Sequence, residues 1–167
     1  RFRRERRSGN GALTGGKSAP MTDGASCALL ASDDWAQENG HQVQAYLTHA
    51  KVAAVDFVAG EGLLMAPAYA VSEMLRTATL NLQDFDFNEI NEAFAAQTIA
   101  TLMAWQSEKF CRDSLGRNTA MGPIDLMKLN VKGGSLAIGH PFAATGARII
   151  ATMAKLLSEK GSGRGLI

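Results

Sequence analysis

The chain has 167 residues, of which 46% are hydrophobic and 20% charged, enough to form the buried core of one ordinary domain. No apolar run approaches the roughly 18 residues that a membrane span needs, so no transmembrane helix is predicted. The two cysteines, Cys27 and Cys111, are too few for a metal cluster and predict reduced thiols in an intracellular protein without a metal site. The N-terminus has neither an initiator Met nor the apolar segment of a secretory signal, so we expect a processed product or a piece of a longer protein.

The net charge of +1 conceals an asymmetry, because residues 1–7 contain five Arg and one Glu. We therefore define residues 1–10 as a basic arm. An arm of this kind could bind nucleic acid or anionic lipid. A solvated tail, or the remnant of a helix that reached into another domain, is the interpretation that we prefer, and no nucleic-acid partner is predicted.

Hydrophobic periodicity predicts the elements of the first half of the chain. In chain order, these are a Gly/Ser/Thr loop at 9–24, a buried strand at 25–31, a short helix capped by Asp33 or Asp34 that ends at Gly40, a long strand at 43–58, and a helix at 67–79 with Pro67 in its first turn.

The second half alternates strand and helix more regularly. The predicted elements are a turn at 81–84, a strand at 86–90, a helix at 92–105, a charged surface excursion at 106–130, a helix at 143–159 and a strand beginning at 166. The first helix has Ala96, Ile99 and Met103 on one side. The second has Ile149, Met153 and Leu156 on its buried face, and Gly161 lies just past its end. This alternation predicts an α/β fold with helices packed on a mixed sheet. Ligands bind such folds where strands end and helices begin, which singles out residues 88–94 and 133–146.

The segment 133–146, GGSLAIGHPFAATG, places His140 on a glycine-flanked turn just before a helix. Small residues there allow other backbone or a ligand to approach closely. An imidazole held in such a turn can take a proton from a nucleophile or donate to a developing oxyanion. A structural turn whose His bonds to backbone groups is the alternative.

The segment 91–97, NEAFAAQ, places Asn91 and Glu92 at a strand-to-helix junction. Either side chain could simply cap the helix. The functional interpretation is that Asn91 directs its amide into a cleft to hold a water or a carbonyl oxygen, while Glu92 supports the loop.

The two segments in this order, NEAFA at 91–95 and then Gly-Gly-(x)4-Gly-His-Pro-(x)4-Gly, resemble the thiolase superfamily. The stretch MTDGA at 21–25 is similar to a loop-and-strand segment of the same family, and the resemblance runs from about residue 11 to the end. With EKF at 108–110, LGR at 115–117 and HPFAATGAR at 140–148, the chain is most similar to the thiolase β-subunits of fatty-acid oxidation complexes.

This resemblance implies a Claisen-type reaction, in which CoA cleaves a 3-ketoacyl-CoA to acetyl-CoA and a shortened acyl-CoA, or the reverse condensation, in fatty-acid β-oxidation. In thiolases a cysteine of the N-terminal half is acylated, and a second cysteine near the C-terminus moves the proton at the α-carbon. Carried over to this sequence, His140 activates the nucleophile and Asn91 holds a water in the oxyanion hole. The residues implied to contact CoA are Ser18, Ala19, Ala93 and Phe94, and those implied to support the site are Glu92, Gly139 and Pro141.

The resemblance also implies a division of the chain into the basic arm, the end of the N-terminal thiolase half with its linker at 11–42, and a C-terminal thiolase domain at 43–167 that stops before its last catalytic Cys motif. Acyl-CoA and CoA are implied as substrates, with no covalently bound cofactor. Implied partners are the missing N-terminal half, further copies in a homodimer or tetramer, and the α-subunit of a β-oxidation complex. The implied location is a bacterial cytoplasm or a mitochondrial matrix.

The sequence also departs from the family pattern. Ala19 stands where many thiolases have Ser or Thr, Lys17 replaces a common Asn, and the β-subunits of oxidation complexes often have His in place of Asn91. Neither Cys27, which we place in a buried strand, nor Cys111, which we place in the surface excursion, occupies the nucleophile position. An enzyme fragment inactive alone is therefore expected, and the alternative is a noncatalytic thiolase-like module that binds acyl-CoA or serves in assembly.

Overall fold

The computed structural model describes residues 13–167, so the basic arm predicted at 1–10 lies outside the described residues. The helices are α1 (Asp33–Glu38), α2 (Ala66–Ala78), α3 (Ala95–Gln106), α4 (Glu108–Asp113), α5 (Ser135–Ile138) and α6 (Thr145–Lys160), and the strands are β1 (Phe87–Asn88) and β2 (Gly165–Leu166). Single 3-10 turns lie at Gly15–Lys17, Leu82–Asp84 and Leu126–Lys128. Within this part of the chain, no helix combines the length and the apolar character that crossing a membrane demands.

Helix α2 confirms the prediction for residues 67–79. Pro67 lies in its first turn, where the missing N–H costs no hydrogen bond, and the helix ends as Thr79 turns into the left-handed region at φ 56°. Its buried face includes Val71 and Leu75, and Leu75 is in the core.

Helix α3 begins at Ala95, three residues later than predicted, because the chain is still extended at Phe94 (φ −144°, ψ 140°). Its buried residues are Thr98, Thr101, Ala104 and Trp105, whereas the predicted apolar side is exposed at Ile99 and Met103. The buried hydroxyls of both threonines donate to backbone carbonyls one turn earlier, so they can be buried as easily as apolar groups. Trp105 anchors the helix in the core, where its indole N–H donates to the carbonyl of Ala68 at 3.2 Å.

The prediction of a surface excursion at 106–130 is wrong. The segment forms α4 and then folds back, and the backbone N–H of Met121 donates to the carbonyl of Trp105 at 2.8 Å. Cys111 is fully buried, and Met121 and Ile124 join it in the core. Most charged residues of this segment are exposed, but Arg117 donates to the hydroxyl of Ser72 on α2 at 2.7 Å. A few apolar residues and such polar contacts therefore hold the segment against the core.

The strands predicted at 25–31 and 43–58 are absent from the structure, and both stretches are largely exposed. A strand is held by the backbone of a neighbouring strand, and no strand within residues 13–167 pairs with either stretch. The backbone bonds of the second stretch are local turns, such as Glu61 N to the carbonyl of Asp56 at 3.2 Å. Cys27 is consequently exposed rather than buried. Exposed large apolar side chains accumulate along these stretches, at Leu29, Leu30, Leu47, Val52, Phe57 and Val58.

The short helix between those stretches, α1, confirms the prediction of a helix there. Its cap is Ser32, whose hydroxyl accepts from Trp35 N at 3.3 Å, instead of the predicted Asp33 or Asp34. Both aspartates instead lie in the first turn of the helix.

The sheet consists of β1 and β2, which run parallel with Phe87 opposite Gly165 and Asn88 opposite Leu166. A parallel bridge from Asn88 to Leu129 extends it, and an antiparallel bridge joins Ser18 to Phe94. Helices packed on this small sheet make the predicted α/β fold.

Helix α6 leads into β2, and its buried face carries Ile149, Met153 and Leu156 as predicted. The helix ends at Gly161, whose φ of 83° suits a residue without a Cβ. The β1–β2 pair is clamped at its start by Asp86, whose carboxylate accepts from Arg164 N at 2.9 Å and lies 3.0 Å from Lys160 Nζ. The Arg164 amide and the Lys160 charge hold the pKa of Asp86 below its ordinary value of 3.8.

Replacing Asp86 with Asn is therefore expected to lower the thermal midpoint by a few degrees, at about 2–4 °C for each kcal/mol lost in a chain of this size. Because the folded pKa is depressed, the stabilisation is present above the ordinary pKa and is lost as the pH falls through the folded pKa. Circular dichroism melts of the two proteins should thus converge under acid conditions. Asp113→Asn is the matched control, since its ion pair with Lys109 is exposed and should contribute little to stability. Equal shifts for both variants would contradict the assignment of Asp86 as a clamp.

Candidate functional site

Asn91 lies in the loop that leaves β1, just before α3. Its Oδ1 accepts a hydrogen bond from the hydroxyl of Ser135 at 2.7 Å, and Ser135 is fully buried at the start of α5. With the oxygen occupied in this way, the amide Nδ2 has no partner among residues 13–167 and is left to donate. The loop after β1 therefore presents a fixed hydrogen-bond donor.

Glu92 ties the same loop to the segment before α5. Its carboxylate accepts from Asn130 Nδ2 at 2.8 Å and from Leu136 N at 3.0 Å. Asn130 also donates to the carbonyl of Ile90 and accepts from the N–H of Ile90, so the two loops are joined by bonds in both directions. A Cβ at Gly134 would collide with the Glu92 carboxylate, which explains a glycine at that position.

The Gly-His-Pro turn packs against residues 20–24. Gly139 has φ +96°, and a Cβ there would collide with the side chain of Thr22. The N–H of His140 donates to the carbonyl of Pro20 at 3.0 Å. Gly24 also lies close to Pro141, since a Cβ on Gly24 would be 2.8 Å from the Pro141 ring. The turn is thus set by close backbone contacts that larger residues would prevent.

The imidazole of His140 is half-buried and oriented by Thr145. Its Nδ1 lies 2.8 Å from the Thr145 hydroxyl, which is itself 3.3 Å from the carbonyl of Pro141. When that hydroxyl donates to the carbonyl, its oxygen accepts the Nδ1 proton, and the lone pair of the neutral ring lies on Nε2. An imidazole in this tautomer can act as a base through Nε2.

Ser135 connects the Asn91 loop to the turn that carries His140. Its hydroxyl bonds to Asn91, and its carbonyl accepts from Gly139 N at 2.9 Å, immediately before His140. Sequence reasoning assigned no role to Ser135 or Thr145. The only signal was a hydroxyl residue at each of two helix starts, flanking the Gly-His-Pro turn.

The four residues predicted to contact CoA lie together. Ala19 N donates to the carbonyl of Ala93 at 3.0 Å, and Ser18 pairs with Phe94 in the antiparallel bridge. The Ser18 hydroxyl is turned back to the carbonyl of Thr14 at 2.9 Å. These residues form a short ledge beside the Asn91 loop.

A largely apolar cavity of about 350 Å³ lies behind that loop, between α2, α3 and the ends of both strands. Asn91 and Ala93 contribute to its wall, together with Pro67 and Trp105. Glu89 also lines the cavity although its side chain is only 1% exposed. Burial raises the pKa of Glu89, the positive charge of Arg148 opposes that effect, and the charge of Glu92 adds to it. Sequence reasoning placed Glu89 in a strand and gave it no role.

Neither cysteine is hydrogen-bonded to His140 in the described part of the chain. Cys111 is sealed in the core, with its sulfur 3.4 Å from the carbonyl of Trp105 and 3.6 Å from that of Ala104. Cys27 is exposed in the stretch without secondary structure. A reactive thiolate needs an accessible, electropositive setting, which the buried Cys111 lacks.

Comparisons with known proteins show the family of this chain. Residues 41–167 match the family model for the thiolase C-terminal domain. The chain is 44% identical over 157 residues to the 3-ketoacyl-CoA thiolases of Shewanella sp. strain ANA-3 and Shewanella oneidensis, which covers 94% of this chain and 36% of each relative. This chain therefore spans about a third of the length of these curated relatives.

Solved structures give the same result. Human mitochondrial 3-ketoacyl-CoA thiolase, also solved in complex with CoA, is 32% identical with a TM-score of 0.59, over 79% of this chain and 28% of that protein. Acetyl-CoA acetyltransferase from Syntrophomonas wolfei is 29% identical with a TM-score of 0.62, over 80% of this chain and 30% of that protein. This chain, with its Asn-Glu-Ala-Phe loop joined through Ser135 to its Gly-His-Pro turn, belongs to the thiolase family and contains the thiolase C-terminal domain.

Proposed function

We propose that this chain supplies the His140 and Asn91 side of a 3-ketoacyl-CoA thiolase active site. The reaction is the cleavage of a 3-ketoacyl-CoA by CoA to acetyl-CoA and a shortened acyl-CoA, or the reverse condensation. One observation carries the proposal: Ser135 bonds to Asn91 through its hydroxyl and to the His140 turn through its carbonyl, so the two motifs are parts of one structure.

His140 acts as the general base in this proposal. The nucleophilic thiol comes from the part of the relatives' length that this chain does not span, and its proton passes to Nε2 of the imidazole. The resulting thiolate attacks the keto carbon, and the imidazolium then donates to the oxygen on which negative charge develops. Thr145 keeps the ring in the orientation and tautomer that these proton transfers require.

Asn91 acts through its free Nδ2, which holds a water that donates to the same developing oxyanion. Its orientation is fixed before the substrate arrives, because Oδ1 is bonded to Ser135. Preorganised donors of this kind need no rearrangement during the reaction, which is the source of their catalytic effect. Glu92, Gly139 and Pro141 have supporting roles, through the contacts that hold the two loops in place.

CoA is proposed to bind along the ledge formed by Ser18, Ala19, Ala93 and Phe94. This placement is supported by the ledge's position beside Asn91. The crystal structure of human mitochondrial 3-ketoacyl-CoA thiolase in complex with CoA supports CoA as the ligand. Small side chains on the ledge leave its backbone accessible to an extended ligand. No covalently bound cofactor is part of the proposed reaction.

The biological setting is also a proposal. We propose fatty-acid β-oxidation, in a bacterial cytoplasm or a mitochondrial matrix, by a homodimer or tetramer associated with an α-subunit of an oxidation complex. The named relatives, 3-ketoacyl-CoA thiolases from bacteria and from human mitochondria, support the thiolase reaction in a bacterial or a mitochondrial setting. We retain the division into a basic arm at 1–10, the end of an N-terminal half at 11–42 and a C-terminal domain at 43–167. The exposed apolar residues between 29 and 58 are consistent with a surface that the N-terminal half covers.

A noncatalytic acyl-CoA-binding or assembly module is the second candidate. The observation that favours it is that, among residues 13–167, neither cysteine bonds to His140. A chain with this role would bind CoA without accelerating any acyl transfer. The two candidates are separated by joining this chain to a complementary thiolase segment and measuring turnover.

The isolated chain is expected to show no thiolysis of acetoacetyl-CoA above background. Covalent catalysis needs an activated thiolate, and the described site provides a base and an oxyanion donor without one. Loss of the absorbance of the enolate form of acetoacetyl-CoA is a direct assay. Turnover that disappears in Cys27→Ser or Cys111→Ser would contradict this expectation.

A chimera provides the positive test, in which this chain replaces the matching segment of the Shewanella sp. strain ANA-3 thiolase. We expect it to be active, and we expect His140→Ala to reduce kcat toward the 10²–10⁴-fold range of a lost general base, roughly. Asn91→Ala should cost less, because a water can partly replace its amide. CoA affinity, measured separately by calorimetry, should change little in both variants.

Lys155→Ala is the matched control for this pair. Its side chain is exposed on α6, where it pairs with Glu159, and the proposed reaction does not use it, so activity should be unchanged. An inactive but folded chimera that still binds CoA would favour the noncatalytic module. An active chimera in which His140→Ala keeps most of its kcat would show that the imidazole is structural.

A further inference from the structure

Glu89 is a buried carboxyl group that the proposed reaction does not yet use. It follows β1 directly, its side chain is 1% exposed, and neither of its oxygens has a hydrogen-bond partner among residues 13–167. Burying an unpaired polar group is destabilising, so native proteins hold few of them. Groups that lower stability in this way concentrate at functional sites, where they have a task other than stability.

Glu89 and Asn91 share one cavity. Both residues line the cavity of about 350 Å³ between α2, α3 and the strand ends. That volume is large enough for several water molecules, at about 30 Å³ each in the liquid. Asn91 has only its Nδ2 donor left, and Glu89 has both oxygens left, so a water between them would find a donor on one side and an acceptor on the other.

We propose that Glu89 is a positioning residue that accepts a hydrogen bond from the same water that the Asn91 amide holds. The water oxygen accepts from Asn91 Nδ2, and one of its hydrogens is donated to Glu89. The second hydrogen of the water is then free to donate to the substrate oxygen that becomes negative. The assignment of this water to catalysis rests on the proposed function, whereas the coupling of the two side chains does not.

The direction of the Glu89 pKa shift suits this task, because it favours the neutral acid. Burial raises the pKa of the Glu89 carboxyl, and of the charged groups that face it, Arg148 on α6 lowers the pKa and Glu92 raises it. A neutral acid still accepts a hydrogen bond through its carbonyl oxygen. Unlike a carboxylate, it places no negative charge beside a developing oxyanion.

The first test measures the coupling in the 167-residue chain itself, without substrate. The side-chain amide of Asn91 is assigned in a ¹⁵N NMR spectrum by its absence in Asn91→Asp, and its shift is followed with pH. We expect it to titrate with Glu89 in the unmodified chain and to lose that step in Glu89→Gln. Glu108→Gln, an exposed change at the start of α4, should leave the titration unchanged. An identical titration curve in Glu89→Gln would overturn the proposal.

The second test uses the active chimera. Glu89→Leu should lower kcat by about tenfold or more, part of the 10²–10³-fold effect of losing an oxyanion donor, with little change in the KM for CoA. Its thermal midpoint should not fall, because an apolar side chain removes an unpaired buried group. Glu89→Gln, which keeps the shape and a carbonyl acceptor, should restore most of kcat.

The pH profile separates positioning from a purely structural role. Because the pKa of Glu89 is raised, the neutral form exists below that pKa, and kcat should decline as the pH rises through it. The Glu89→Gln variant should lack that alkaline decline. Full kcat in Glu89→Leu, or equal losses in the Leu and Gln variants, would contradict the proposal. A chimera that is inactive with its native residues would instead count against the proposed function, while the NMR titration still decides the coupling.

Discussion

The site depends on the burial of Ser135. This residue is fully buried at the first turn of α5, so its hydroxyl cannot exchange its partner for bulk water. The hydroxyl is committed to Asn91, and the backbone carbonyl of the same residue receives the N–H of Gly139. Through a single residue, the orientation of an amide on one loop is linked to the start of the Gly-His-Pro turn on another.

Other buried polar contacts support that link. Glu92 and Asn130 join the loop after β1 to the segment before α5, and the backbone carbonyl of Asn88 accepts from Asn130 N at 2.8 Å. Satisfied polar networks of this kind fix one arrangement of the backbone, because any other leaves buried groups unpaired. The glycines at 134 and 139 then allow the loops to approach within distances that a Cβ would prevent. Glu89 is more deeply buried than Glu92 and Asn130, and both of its side-chain oxygens lack a partner among residues 13–167, as does the side-chain oxygen of Asn88.

Most of the fold could be predicted from the sequence where local rules decide the outcome. Helices α2 and α6 have strong apolar faces and clear ends, so their positions follow from 3.6-residue periodicity and from Pro67 and Gly161. The stretches 25–31 and 43–58 have apolar residues typical of strands, but a strand also needs a partner strand, which a local pattern does not reveal. The prediction for segment 106–130 was wrong for a different reason. Its exposed charged residues outnumber the few buried residues, such as Cys111 and Ile124, that hold it to the core, so its composition is that of a surface loop.

Some residues of the candidate site could likewise be predicted from the sequence, and others could not. His140 and Asn91 could be found because their motifs are short, contiguous and flanked by glycine or by a helix start. Ser135, Thr145 and Glu89 could not, because their significance arises from contacts with distant residues or from burial. A serine or a glutamate has no sequence feature that distinguishes a buried partner from a solvated surface residue.

The most direct test of this account is a double-mutant cycle between Ser135→Ala and Asn91→Ala in the active chimera, read as kcat. Alanine at 135 removes the hydroxyl bond to Asn91 and leaves the backbone bond to Gly139, so it isolates the interaction on which the site depends. The account predicts that Ser135→Ala lowers kcat when Asn91 is present and has little further effect once Asn91 is Ala, which is the signature of coupled residues. The same loss in both backgrounds, or no loss in either, would contradict it.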